Sequence, residues 1–119
     1  MTETATIYHN PRCSKSRAAL ELLNQHELNV TIIEYLNTPV DRRTLTDLLK
    51  LLNLSPRELM RRSEAPFKDL NLGNSKLTDE QLIDAMLEHP ILIERPIVVY
   101  DNQAAIGRPL DNIIDMLDS

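Results

Sequence analysis

Apolar and polar positions along the chain follow two periods, and the changes between them mark out elements. "ATIYH" at residues 5–9 and "VTIIEYL" at 30–36 are short, β-branched-rich runs of strand length. Between them "CSKSRAALELLNQH" carries Ala19, Leu22 and Leu23 at helical spacing, which predicts a helix and puts Cys13 at a strand-to-helix junction. A strand, a helix and a strand within the first 36 residues form a βαβ unit, which implies a parallel strand pair with a right-handed crossover.

"TPVDRRTLTDLLKLL" then sets Leu45, Leu48, Leu49 and Leu52 on one helical face. "SPRELMRR" offers a capping box, Ser55 with Glu58, and Pro56 at the first helical position. "LTDEQLIDAMLEH" repeats the device with Thr78 and Gln81, and Leu77 and Leu82 are spaced for a hydrophobic staple. After this helical segment, "PIVVY", the turn "DNQ" and "AAIG" predict a hairpin. "RPLDNIIDML" predicts a last helix with Leu110, Ile113, Ile114 and Leu117 in register. The order βαβ, helices, ββα predicts an α/β fold: a thioredoxin-like four-stranded mixed sheet with a helical insertion at about residues 40–90, in a single domain spanning 1–119.

Composition narrows the function classes. With 119 residues, 42% apolar and 26% charged, the chain is globular and long enough for a core of its own. Its longest apolar runs are too short to span a bilayer, and "MTETATIYHN" lacks the basic start and apolar stretch of a signal peptide, so the expected location is cytoplasmic. A net charge of −5 argues against nucleic acid or a membrane surface as partner. Of thirteen cations, nine are Arg, the side chain suited to forked contact with oxyanions. The plain alternative for each is a solvated surface cation.

The one cysteine excludes an internal disulfide and cannot by itself make a zinc site, so no metal is expected. It lies in "YHNPRCSKSR", among His9, Arg12, Lys15 and Arg17. At a helix start the sulfur faces unpaired N–H groups and the positive end of the helix dipole, and neighbouring cations act in the same direction, lowering the thiol pKa. The competing reading is a free surface cysteine without a role. Ser16 holds the place of the second cysteine in a C-x-x-C motif, so a redox cycle would have to borrow external thiols.

The stretch "IYHNPRCSKSR", the segments "RELMRR" and "KDLNL", the string "LTDEQLIDAMLEHPILIERPIVV" and the closing "IGRP" together resemble the glutaredoxin-dependent arsenate reductase family over nearly the whole chain. The resemblance implies that the Cys13 thiolate attacks arsenate or a similar oxyanion. Glutathione then adds as co-substrate, glutaredoxin supplies the further reducing equivalent, and arsenite is released with no bound cofactor. By matching position, Cys13 would be the nucleophile, His9 would help keep it ionised, and Ser16 would donate a hydrogen bond to the thiolate. Arg61, Arg95 and Arg108 would bind the oxyanion. Arg61 could equally be a helix-surface cation, and Arg108 could merely precede a helix-starting proline. His26 and His89 are read as structural, and Glu94 and Asp101 as solvated. Arg12 is a cation that the core motif does not require. Two alternatives remain within the superfamily: an Spx-like regulatory module and a general glutathione-linked thiol module, each lacking arsenate turnover.

Overall fold

The computed structural model describes residues 3–118, which fall into two compact units. The first runs to Thr38 and resumes at Arg95, and the second is Pro39–Glu94.

The first unit holds strands β1 (Thr4–Tyr8), β2 (Asn29–Ile33), β3 (Ile97–Tyr100) and β4 (Gln103–Ile106), with helices α1 (Ser14–Gln25) and α6 (Asp111–Asp118). The sheet order is β2-β1-β3-β4. β1 is parallel to β2 and antiparallel to β3, and β3 and β4 form the expected hairpin. The mixed four-stranded sheet is therefore the one predicted. Asp101 and Asn102 both take positive φ in the hairpin's two-residue turn, a conformation that Asp and Asn tolerate better than most residues. Ala5, Ile7 and Val98 project from one face of the sheet and bury against Ala19 and Leu23 of α1 and Ile113 and Met116 of α6. Truncating a wholly buried member such as Leu23 to Ala would cost about 2–5 kcal/mol.

Register decides what happens at one end of this sheet. Tyr8 stands opposite both Ile33 and Ile97, and Ile97 stands opposite Ile106. The loop after β1, the segment before β3 and the segment after β4 consequently leave the sheet side by side.

Three boundaries differ from the sequence reading. β2 ends at Ile33, where Glu34 accepts backbone hydrogen bonds from Asn37 and Thr38 in a turn. α6 begins at Asp111, so Leu110 precedes the helix. Arg108, coming before Pro109, is biased away from helical backbone, which delays the start. The third difference lies in the second unit.

That unit is the predicted helical insertion, with α2 (Arg42–Leu52), α3 (Pro56–Leu59), α4 (Ala65–Asp69), α5 (Asp79–Glu88) and a 3₁₀ turn at Pro90–Leu92. Both capping boxes form as read, Ser55 with Glu58 and Thr78 with Gln81. α5 packs against α2, α3 and the 3₁₀ turn, and Leu45, Leu48, Leu59, Leu82, Met86 and Leu92 are buried. α3 stops at Leu59, short of the reach suggested by "SPRELMRR". Met60 is extended and bridges Ile93, with Arg61 N–H donating to the Leu92 carbonyl at 2.7 Å and Glu94 N–H to the Leu59 carbonyl at 3.0 Å. Arg61 is therefore not a helix-surface cation.

Candidate functional site

Cys13 sits immediately before α1 in extended conformation, as its N-cap residue, and is partly exposed. The loop that carries it is fixed by backbone bonds: His9 N–H to the Ile33 carbonyl at 2.8 Å and Cys13 N–H to the Asn10 carbonyl at 3.0 Å. Asn10, buried, adds two more, its N–H donating to Ser16 Oγ at 3.0 Å and its Oδ1 accepting the Arg12 N–H at 3.0 Å. Asn10 was not among the residues singled out from sequence. Its signal was the Asn-Pro dipeptide, a turn former whose Asx side chain holds the backbone two residues on.

The segments that leave the sheet beside this loop bring two arginines to the sulfur. Arg108 Nη2 lies 3.4 Å from Cys13 Sγ, and its Nε donates to the Arg95 carbonyl at 2.7 Å. The Arg95 side chain also acts on the sulfur and favours its ionised form. Arg95 and Arg108 each precede a cis proline, Pro96 and Pro109. Gly107 N–H donates to the Pro96 carbonyl at 2.9 Å, tying the end of β4 to the start of β3 next to both arginines.

Partial burial pushes the Cys13 thiol pKa up, but the Ser16 and Lys15 backbone N–H groups, Arg95 and Arg108 outweigh it, and the net shift is downward. The first-turn N–H groups have no intrahelical acceptor, so a thiolate is their natural partner.

His9 and Ser16 have other positions than expected. The Ser16 hydroxyl is buried against His9 Nδ1 at 2.7 Å and accepts the Asn10 N–H, so it is the Ser16 backbone N–H, and not its hydroxyl, that favours the thiolate. Burial lowers the His9 pKa below its ordinary value and Arg17 adds to this, against an opposing pull from Glu34. A neutral His9 supplies no positive charge to the sulfur. The 2.7 Å hydrogen bond between His9 Nδ1 and Ser16 Oγ braces the loop.

Arg61 belongs to the second unit, where Glu64 meets its Nε at 3.2 Å and Glu94 its Nη1 at 2.9 Å. Glu94, read from sequence as solvated, is half-buried in this ion pair, because the Met60–Ile93 bridge sets residues 61 and 94 together. His26 is exposed, and its Nδ1 contacts the Leu22 carbonyl at 3.0 Å. Among the described residues no group of His, Cys, Asp and Glu side chains is arranged to hold a metal ion, and no helix is long and apolar enough to cross a membrane.

Chemically, the first unit presents a thiol whose pKa is lowered, with two arginines beside the sulfur. That arrangement suits attack on a tetrahedral oxyanion, whose oxygens both guanidiniums can engage while the sulfur approaches the central atom.

The family model described as "ArsC family" matches residues 8–116. The chain is 50% identical over 118 residues to "Uncharacterized protein YfgD" of Escherichia coli strain K12, covering 98% of this chain and 99% of that one. It is 47% identical over 108 residues to an arsenate reductase of Neisseria meningitidis serogroup A, covering 90% and 92% of the two chains. Among solved structures, the arsenate reductase from Vibrio cholerae matches with a TM-score of 0.93 at 45% identity, over 97% of this chain and 98% of that one.

Proposed function

The chain belongs to the ArsC family, and from that footing we propose that it is an arsenate reductase in which Cys13 is the nucleophile and glutathione and glutaredoxin supply the electrons. The observation that carries this reading is the 3.4 Å contact between Arg108 Nη2 and Cys13 Sγ, made beside Arg95. Arsenate near neutrality is largely a dianion, and a thiolate approaching it meets like charge. At about 4 Å, two unit charges repel by about 4 kcal/mol at an effective dielectric near 20. Two guanidiniums already on the sulfur offset that repulsion and orient the oxygens.

In the proposed cycle the Cys13 thiolate attacks arsenic(V), an S–As bond forms and an oxygen leaves as water. Glutathione's sulfur then displaces a second oxygen, which leaves as water, so that the arsenic carries both sulfurs. Glutaredoxin's thiol takes the glutathione sulfur, so that two thiols end as one mixed disulfide and their two electrons reduce arsenic(V) to arsenic(III). Water then adds to the arsenic(III) as the S–As bond breaks, arsenite departs and the Cys13 sulfur leaves as the restored thiolate. Arg95 and Arg108 bind the oxyanion, and by the family motif Arg61 is assigned the same role. His9 and Ser16 position the nucleophile's loop. A reducing cytoplasm is the compartment that suits this chemistry, since Cys13 must stay free between turnovers.

A coupled assay with arsenate, glutathione, glutaredoxin, glutathione reductase and NADPH tests the proposal. NADPH oxidation should require arsenate, glutathione and glutaredoxin together and disappear in Cys13→Ser. No arsenate-dependent NADPH oxidation, with Cys13 still forming a mixed disulfide with added glutathione disulfide, would replace this reading with that of a glutathione-linked thiol module.

A further inference from the structure

All five Lys and Arg residues of the first unit, Arg12, Lys15, Arg17, Arg95 and Arg108, belong to the Cys13 loop, the start of α1 or the two segments that meet that loop. Of the unit's eight acidic residues, Glu34 after β2 and Asp111 opening α6 are the two placed at this end of the sheet. The charge of this unit is thus strongly segregated, and the nucleophile sits at its positive pole.

The five cations divide by what they do. Arg95 and Arg108 face the sulfur, and Arg17 is tied to the Pro11 carbonyl at 2.9 Å. Arg12 and Lys15 flank Cys13 with exposed side chains, and among the described residues no ion pair engages either one. A compact oxyanion on the sulfur is served by the inner pair. The outer pair offers charge to a reagent that extends beyond the sulfur, and unbalanced cations at a reactive atom speed encounter with anions.

We propose that Arg12 and Lys15 select, by charge, the thiol compound that reacts at Cys13, favouring one that carries carboxylates close to its sulfur, as glutathione does. The proposal rests on Cys13 being the reactive thiol assigned under Proposed function, and adds the residues that discriminate among its partners.

Thiol–disulfide exchange isolates this selection from the arsenate chemistry. The Cys13 thiolate attacks one sulfur of a symmetric disulfide, a new S–S bond forms at Sγ, the old one breaks, and the other half leaves as a thiolate with the electron pair. Cys13 is oxidised to the mixed disulfide and the leaving half is reduced. Rates are measured on the whole chain by intact mass with three reagents: glutathione disulfide (anionic), 2-hydroxyethyl disulfide (neutral) and cystamine (cationic). Each rate is divided by the thiolate fraction from the Cys13 pKa of the same variant.

The expected result is a preference for glutathione disulfide over cystamine of about tenfold or more beyond that of a free model thiol, shrinking as salt is raised to about 0.5 M. Arg12→Gln with Lys15→Gln should lower the anionic-to-neutral ratio and raise the cationic-to-neutral ratio, each several-fold. Arg12→Lys with Lys15→Arg should restore both ratios, which a purely structural role would not predict. Equal corrected ratios for wild type and the double Gln variant would overturn the proposal while leaving Cys13 as the reactive thiol. Absence of any Cys13 adduct with all three reagents would overturn both.

Discussion

Arg108 holds its Nη2 3.4 Å from the Cys13 sulfur while its Nε is fixed at 2.7 Å by the Arg95 carbonyl. The cation that meets the sulfur is therefore itself oriented by the backbone of the second arginine.

The first prediction separates charge from geometry at that contact. In the wild type, iodoacetamide alkylation of Cys13 should show its inflection below the ordinary thiol value of about 8.5, with the rate level above the inflection and falling tenfold per pH unit beneath it. Arg108→Lys keeps a positive charge but loses the fork and the Nε anchor. The inflection should move little, because backbone N–H groups and Arg95 contribute more to it than Arg108 does. Arsenate turnover in the coupled assay should fall by about tenfold or more.

His9 gives a pH dependence of known sign. Its pKa is depressed in the folded chain, so below its unfolded value of about 6.5 the unfolded chain binds the proton more tightly, and stability falls as the solution is acidified through that range. Urea unfolding at about pH 7.5, 6.5 and 5.5 should show this loss, and His9→Gln should flatten it. Asp41 and Glu58, whose caps hold their pKa values down, would lose their stabilisation only at more acidic pH.

Around the insertion's arginines, stability should sort by what each guanidinium touches. Glu94→Gln weakens a half-buried ion pair and should cost about 1–2 kcal/mol in urea unfolding. Arg57 forks onto the Leu72 and Asn74 carbonyls at 2.9 and 3.0 Å, so Arg57→Lys should cost about 1 kcal/mol by freeing that loop. Arg62 is exposed, and Arg62→Lys should stay within about 0.5 kcal/mol of wild type.

Gly107 tests how tightly the arginine-bearing segments must pack. A Cβ there would lie 2.8 Å from Pro96 Cγ and 2.8 Å from Ile113 Cδ1, and neither neighbour is the loose end of a long side chain. Gly107→Ala should cost about 1–3 kcal/mol. It should also raise the Cys13 alkylation inflection, since the clash with Pro96 displaces the neighbouring Arg95, which contributes more to it than Arg108 does. At Gly73 the added methyl would meet only the Phe67 ring at an ordinary 3.6 Å, and Gly73→Ala should leave the inflection where it is.

What the sequence made legible was local. Ser55 with Glu58 and Thr78 with Gln81 could be read as caps because a capping box is closed within four residues. The strands could be named from their runs, and Cys13 placed at a helix start, for the same reason. The end of α3 was hidden, because Leu59 is the last helical residue only by virtue of a partner more than thirty positions away, Ile93 across from Met60. Glu94 was read as solvated for want of that pairing. The roles of His9 and Ser16 were obscured differently: spacing put them near Cys13, but burial and mutual hydrogen bonding decided that they would face each other.

The strand order sets a timetable for the nascent chain. β1 has one partner close by in sequence, Val30 opposite Ala5, and another far off, Tyr100 opposite the same residue. Closing the longer loop costs about 1 kcal/mol more in chain entropy than closing the shorter, less if the intervening helices have already formed. On a ribosome the β1–α1–β2 segment emerges first, and Cys13 with it. Arg95 and Arg108 follow only when the last quarter of the chain has been made. Until then the thiol has its helix start but neither guanidinium, and its full reactivity is delayed until synthesis is nearly complete.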